Sequence, residues 1–112
     1  MLKVFDLKTM TSYPYEERDK NVFFKAKEFK MRIIELPAGG VMPECKMLSY
    51  VIFYVISGNA EVKVNKEQVK VKEGQCLIVE PATPVTCTPI SMKTDKGVLM
   101  IGIQIPTEGN NV

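Results

Sequence analysis

The strongest constraint on the fold is a two-residue alternation in the middle of the chain. Glu61-Val62-Lys63-Val64 alternates charged with apolar, and Val69-Lys70-Val71-Lys72 repeats the pattern after Asn65-Lys66-Glu67. Successive strand side chains point to opposite faces, so this pattern puts every valine on one face and every charge on the other. A helix would scatter the valines around its axis. The two segments predict a hairpin with valines inward and charges in water.

The same grammar runs through the rest of the sequence. Residues 27–36 mix apolar and charged residues and end at Pro37-Ala38-Gly39-Gly40. Glu73-Gly74 predicts a turn, Gln75 to Val79 a strand, and Pro81-Ala82-Thr83-Pro84 another turn. Residues 85–87 and 98–105 supply the last strands. The seven prolines and seven glycines fall mostly between these runs, where they cost no ladder hydrogen bonds. No window of a dozen residues carries a helical apolar period. Tyr15 to Lys20 has enough charge to read as a solvated loop, with a helical turn as the alternative. Short strands with frequent turns predict an all-β fold, an antiparallel jelly roll or double-stranded β-helix.

At 112 residues, with 46% hydrophobic and 25% charged side chains, the chain is expected to form one domain able to bury a core without staples. That domain spans 1–112, with an N-terminal arm and strands at 1–26, the main barrel at 27–106 and a tail at 107–112. Fifteen basic and thirteen acidic residues are spread evenly, for a net charge of +2. Without a basic cluster, no nucleic acid partner is expected. No apolar run approaches the roughly 18 residues of a membrane span, and the first residues lack a signal-peptide core. The three cysteines, Cys45, Cys76 and Cys87, are an odd number with no Cys-x-x-Cys pair. A reducing, cytoplasmic setting is expected from that usage.

The stretch from Gly39 to Gly58, ending Tyr54-Val55-Ile56-Ser57-Gly58, resembles the first motif of the cupin family. Gly74-Gln75 followed by Pro81-Ala82-Thr83-Pro84-Val85 is similar to the second, one residue shorter in the turn. The resemblance covers residues 30–105, and it implies the same jelly-roll barrel. Cupins usually hold a metal with three histidines and a glutamate. Counted back from Gly58, the first-motif histidines fall on Cys45 and Met47 and the glutamate on Val51. The second-motif histidine falls on Val85, and the chain contains no histidine at all. Iron, manganese or nickel would lack imidazole and carboxylate donors there. The family's metal-dependent activities are therefore not expected to carry over, and no metal or other cofactor is expected.

Strand parity then predicts a pocket. If Cys45, Met47 and Val51 face inward, Ser49, Phe53 and Val55 do too, with Val85 and Cys87 on a facing wall. The expected lining is Cys45, Met47, Ser49, Val51 and Phe53 on one side and Val85 and Cys87 on the other, apolar and almost uncharged. The opposite face carries Tyr50, Ile52, Tyr54 and Ile56. Such a face needs cover, from Val22 to Phe24 or from a second subunit. Cupins commonly dimerise through such faces, so the resemblance favours a homodimer.

Three functions compete at this point. The first is a metal-independent cupin that binds a small, largely apolar molecule, or that keeps the fold for sensing or assembly. The second is a cupin-type isomerase or lyase using Glu44 and Glu80 at the strand ends as acid and base. The third is a soft-metal site for Cu(I) or zinc built from Cys45, Met47 and Cys87. Against the third, cysteine and methionine are also ordinary fillers of a buried barrel. Cys45 as a nucleophile lacks a neighbouring base, since Lys46 points the other way. A Cys45–Cys87 disulfide is conceivable by geometry but disfavoured by a reducing compartment. Neither glutamate is tied to the pocket by sequence alone.

Overall fold

A computed structural model describes residues 1–83 and 85–107. The Pro84 position of the predicted turn and the tail beyond Thr107 lie outside the described residues. The strands are β1 (Val22–Lys25), β2 (Lys30–Leu36), β3 (Val41–Met47), β4 (Ser49–Val64), β5 (Glu67–Lys72), β6 (Cys76–Val79), β7 (Thr88–Lys93) and β8 (Val98–Pro106). All their pairings are antiparallel.

The 16-residue β4 belongs to both sheets. Its first half lies between β8 and β6, and β8 continues to β2 and β1. Its second half lies between β5 and β7, and β7 continues to β3. The bend between the halves falls at a bulge between Val55 and Ser57, next to Gly58. Gly58 has φ +80°, and a Cβ there would collide with the carbonyl oxygen of Gly97. That close crossing explains the glycine that ends the first motif: it turns the strand from one sheet to the other and does not terminate it.

The double-stranded β-helix expected from alternation is therefore the observed fold. The hairpin forms between β4 and β5, with Val62 opposite Val69 and Val64 opposite Glu67. Val62 and Val71 are buried and their lysine neighbours exposed. The core is drawn from both sheets, chiefly Val51, Phe53, Val55, Val62, Ile90, Met92 and Met100. Alternation of buried and exposed residues along β4 matches the predicted parity, although Leu48 separates β3 from β4.

Three local expectations need correction. The strand predicted at 85–87 is loop, and the strand begins at Thr88, where the hydroxyl-bearing residue is buried against the core. The segment expected as a solvated loop is a 3₁₀ helix, Tyr15–Asn21. Val22 to Phe24 does not cross the Tyr50–Ile56 face: it forms β1, the edge strand beside β2. The N-terminal arm instead meets the outer side of β2, where Ser12 Oγ donates to Glu35 Oε1 at 2.7 Å, and of β1, where the Phe5 ring packs at a tilt against Phe23 with centroids 5.0 Å apart. Ile33, on that outer side, is only 1% exposed.

Candidate functional site

The two sheets do not close on each other everywhere. β2 ends the pairing path on one side, apart from its partner β1, and β3 ends it on the other. Between these two strands the barrel opens into a cavity of about 690 Å³. The segment Tyr13 to Arg18 lies across its mouth. Tyr15 rests on the core and shares a hydrogen bond with Cys45 Sγ at 2.8 Å. The thiol can also donate to the Pro43 carbonyl at 3.5 Å, and either atom can be the donor in the Tyr15–Cys45 bond. This bond and burial together raise the Tyr15 pKa. Arg18 fastens the segment further, its guanidinium 4.3 Å above the Tyr15 ring and donating to the Tyr15 carbonyl at 3.1 Å. Asn21 ties the other end, accepting from Tyr13 N and donating to Tyr13 O.

One wall is the predicted one. Cys45 and Met47 on β3 and Val51 and Phe53 on β4 all line the cavity. Ser49 is buried beside them, with an Oγ that has no hydrogen-bond partner, but it does not reach the cavity surface. Val85 and Cys87 are not there. Both lie on the loop before β7, with Val85 83% exposed and Cys87 exposed, because the chain enters the barrel only at Thr88. The sulfur trio expected for a soft metal is thereby reduced to Cys45 and Met47. All three cysteines are free, and Cys45 is bonded to Tyr15 while Met47 Sδ accepts from Gln104 Nε2 at 3.1 Å. Among the described residues no cluster of three His, Cys, Asp or Glu exists. Cysteine, methionine and valine are the wrong donors for the metal that cupins usually carry.

The facing wall was not foreseen. On β2, Lys30, Arg32 and Ile34 point inward, and on β8 so do Gln104 and Gly102. Gly102 stands between Arg32 and Phe53 in the ladder, and a Cβ on it would lie 3.1 Å from Ile34 Cδ1 and 3.5 Å from Arg32 Cγ. The tight neighbour is the Ile34 side chain, while the contact with the arginine stem would be an ordinary one. Arg32 Nη2 donates to Gln104 Oε1 at 3.2 Å, while its buried Nε–H has no acceptor among the described residues. Burial lowers the pKa of both Arg32 and Lys30; Arg32 and Lys25 further lower Lys30, Arg18 further lowers Arg32, and Asp19 opposes the shift in both. The cavity is thus apolar on the β3–β4 side and cationic on the β2–β8 side, which corrects the expectation of an uncharged pocket.

Of the two candidate carboxylates, Glu44 stands exposed at the cavity rim, and Glu80 lies elsewhere, on a groove beside Val64 and Leu77. The acid–base pair required for the enzyme reading is not brought together. No described helix is long and apolar enough to cross a membrane.

Comparison with known proteins agrees with this architecture. The chain is similar to the Schizosaccharomyces pombe Cnp3 cupin domain (22% identity, TM-score 0.66, covering 76% of this chain and 61% of that one). An RmlC-like cupin protein with a double-stranded β-helix fold from Methanocaldococcus jannaschii matches at 19% identity and TM-score 0.66, over 78% of each chain. A conserved protein with a double-stranded β-helix domain from Klebsiella pneumoniae matches at 15% identity and TM-score 0.77, over 100% of this chain and 96% of that one. Identities this low speak for the fold. No curated protein matches. A family model described as "AraC-like ligand binding domain" matches residues 40–104, which include β3, the β3–β4 wall of the cavity and Gln104, but not β2 or the segment Tyr13 to Arg18. On the strength of that match, the chain is a cupin-fold member of the AraC-like ligand binding domain family.

Proposed function

We propose that this protein is a metal-independent binding module that takes a small molecule into the cavity between β2 and β3. The observation that carries the reading is the cavity itself: about 690 Å³, apolar on one wall, with a few convergent polar groups on the other and a hydrogen-bonded segment over its mouth. Small-molecule sites have this size and this mixture of an apolar lining with a few oriented polar groups. Membership of a ligand-binding family supports it. The residues that bind are Cys45, Met47, Val51 and Phe53 from one side and Arg32 and Gln104 from the other.

The outer face with Tyr50, Tyr54, Ile78 and Ile105, each at least 36% exposed, is where the proposed homodimer would form. Ile78→Lys would then shift the mass in solution, read by light scattering, from dimer to monomer. An unchanged dimer, or a monomeric parent, would remove this part.

Amide NMR of the full chain during titration with hits from a mixed small-molecule library tests the binding reading. Shifts should cluster on β2, β3 and residues 13–18. An absence of hits, or shifts confined to other surfaces, would contradict it.

A further inference from the structure

We infer that the ligand is a small organic acid, its carboxylate held by Arg32 with Lys30 beside it and its apolar body against Met47, Val51 and Phe53. This deepens the binding reading above and rests on it. The inference starts from a charge without a counterpart. Arg32 and Lys30 are neighbours on the inward face of β2, and both are half-buried. Among the described residues neither forms an ion pair. A cation drawn out of water without a counterion is costly, and proteins usually pair or expose it. Asp19 exerts a favourable field on both without an ion pair to either. Glu16 and Glu44 stand exposed at the rim, where water screens their repulsion of an incoming anion.

The polar contacts in place are ones a ligand could exchange. Among the described residues Arg32 Nε–H has no acceptor, and Gln104 spends an amide N–H on the thioether of Met47, a weak acceptor. A carboxylate oxygen would accept from Arg32, Lys30 and the freed Gln104 amide, each bond charge-assisted and stronger than what it replaces. The other wall presents sulfur, aliphatic and aromatic surface only, so the remainder of the molecule should be apolar. The guanidinium and the ammonium offer donors to both oxygens of one carboxylate. A phosphate would be expected to draw on backbone N–H groups as well, and β2 and β8 have theirs committed to the ladder between them.

The test uses the full chain and matched pairs of probes: benzoate, phenylacetate and hexanoate against benzamide, phenylacetamide and hexanamide, with inorganic phosphate as a further arm. Thermal shift and calorimetry should show saturable binding of at least one acid, with Tm raised by about 5 °C or more at saturation, and none by its amide. Arg32→Met should weaken that acid about 10- to 100-fold, as loss of a charge-assisted bond does. Lys30→Met should weaken it less, and serves as an independent variant should Arg32→Met fail to fold by circular dichroism. Amides that bind as tightly as acids, indifferent to both substitutions, would overturn the acid assignment while leaving the binding reading intact. Phosphate that binds as well as the acids would overturn the carboxylate in favour of a general anion site. Failure of every acid would overturn the inference, and the library titration then decides separately whether the cavity binds anything.

Discussion

The two walls of the cavity differ in chemistry and in how they are held. On the β3–β4 side, Val51 and Phe53 are 2% exposed and belong to the continuous core, and Cys45 and Met47 extend that surface to the mouth. On the β2–β8 side, Arg32 and Lys30 stand inward without an ion pair among the described residues. The first wall is built as a stable core is built. The second sacrifices stability for a charge placed where a ligand would meet it, a balance expected at functional sites and not in packing.

If that contrast holds, substitutions on the two walls should move stability in opposite directions. Phe53→Ala should cost most, about 3–5 kcal/mol in urea unfolding, because a fully buried ring leaves a cavity. Met47→Ala, on the half-buried margin of the same wall, should cost about 2 kcal/mol, at the low end for such truncations. Arg32→Met should instead stabilise the ligand-free protein, by about 1 kcal/mol, since it removes an uncompensated cation and keeps the stem's volume. A loss of 2 kcal/mol or more from Arg32→Met would mean that the guanidinium is structural and would break the contrast.

The first wall was legible in the sequence and the second was not, for a physical reason. On β4 both parities are apolar, Val51, Phe53 and Val55 against Tyr50, Ile52 and Tyr54, so alternation grouped the wall residues and the cupin motif supplied which side is in. The cupin motif then placed Cys45 and Met47 on the same wall. β2 is covered on both faces, by the cavity on one and the N-terminal arm on the other, so Ile33 is buried although it points out of the barrel. Lys30-Met31-Arg32-Ile33-Ile34-Glu35 consequently has charges and aliphatics on both parities, and alternation could not decide. The available signal was weaker: an inward face of Lys30, Arg32, Ile34 and Leu36 is one a simple core would not choose. Val85 was misplaced because the second cupin motif put it at a ligand position, and Cys87 followed it by parity, whereas the chain enters the barrel only at Thr88.

The smallest expected effect concerns the segment over the mouth. Tyr15→Phe removes the bond to Cys45 and should cost about 1 kcal/mol or less. Its clearer mark is kinetic. Cys45 should react faster with a thiol reagent than in the parent, while the already exposed Cys76 and Cys87 keep their rates. Equal Cys45 rates in parent and variant would show that Tyr15 does not guard the cavity.

The most direct measurement is mass spectrometry of what the full chain carries when purified without denaturation. The parent should release a small carboxylic acid at near-stoichiometric level, and Arg32→Met, folded by circular dichroism, should release little or none. A neutral compound bound equally by both proteins would contradict the account's claim that the cationic wall selects the ligand.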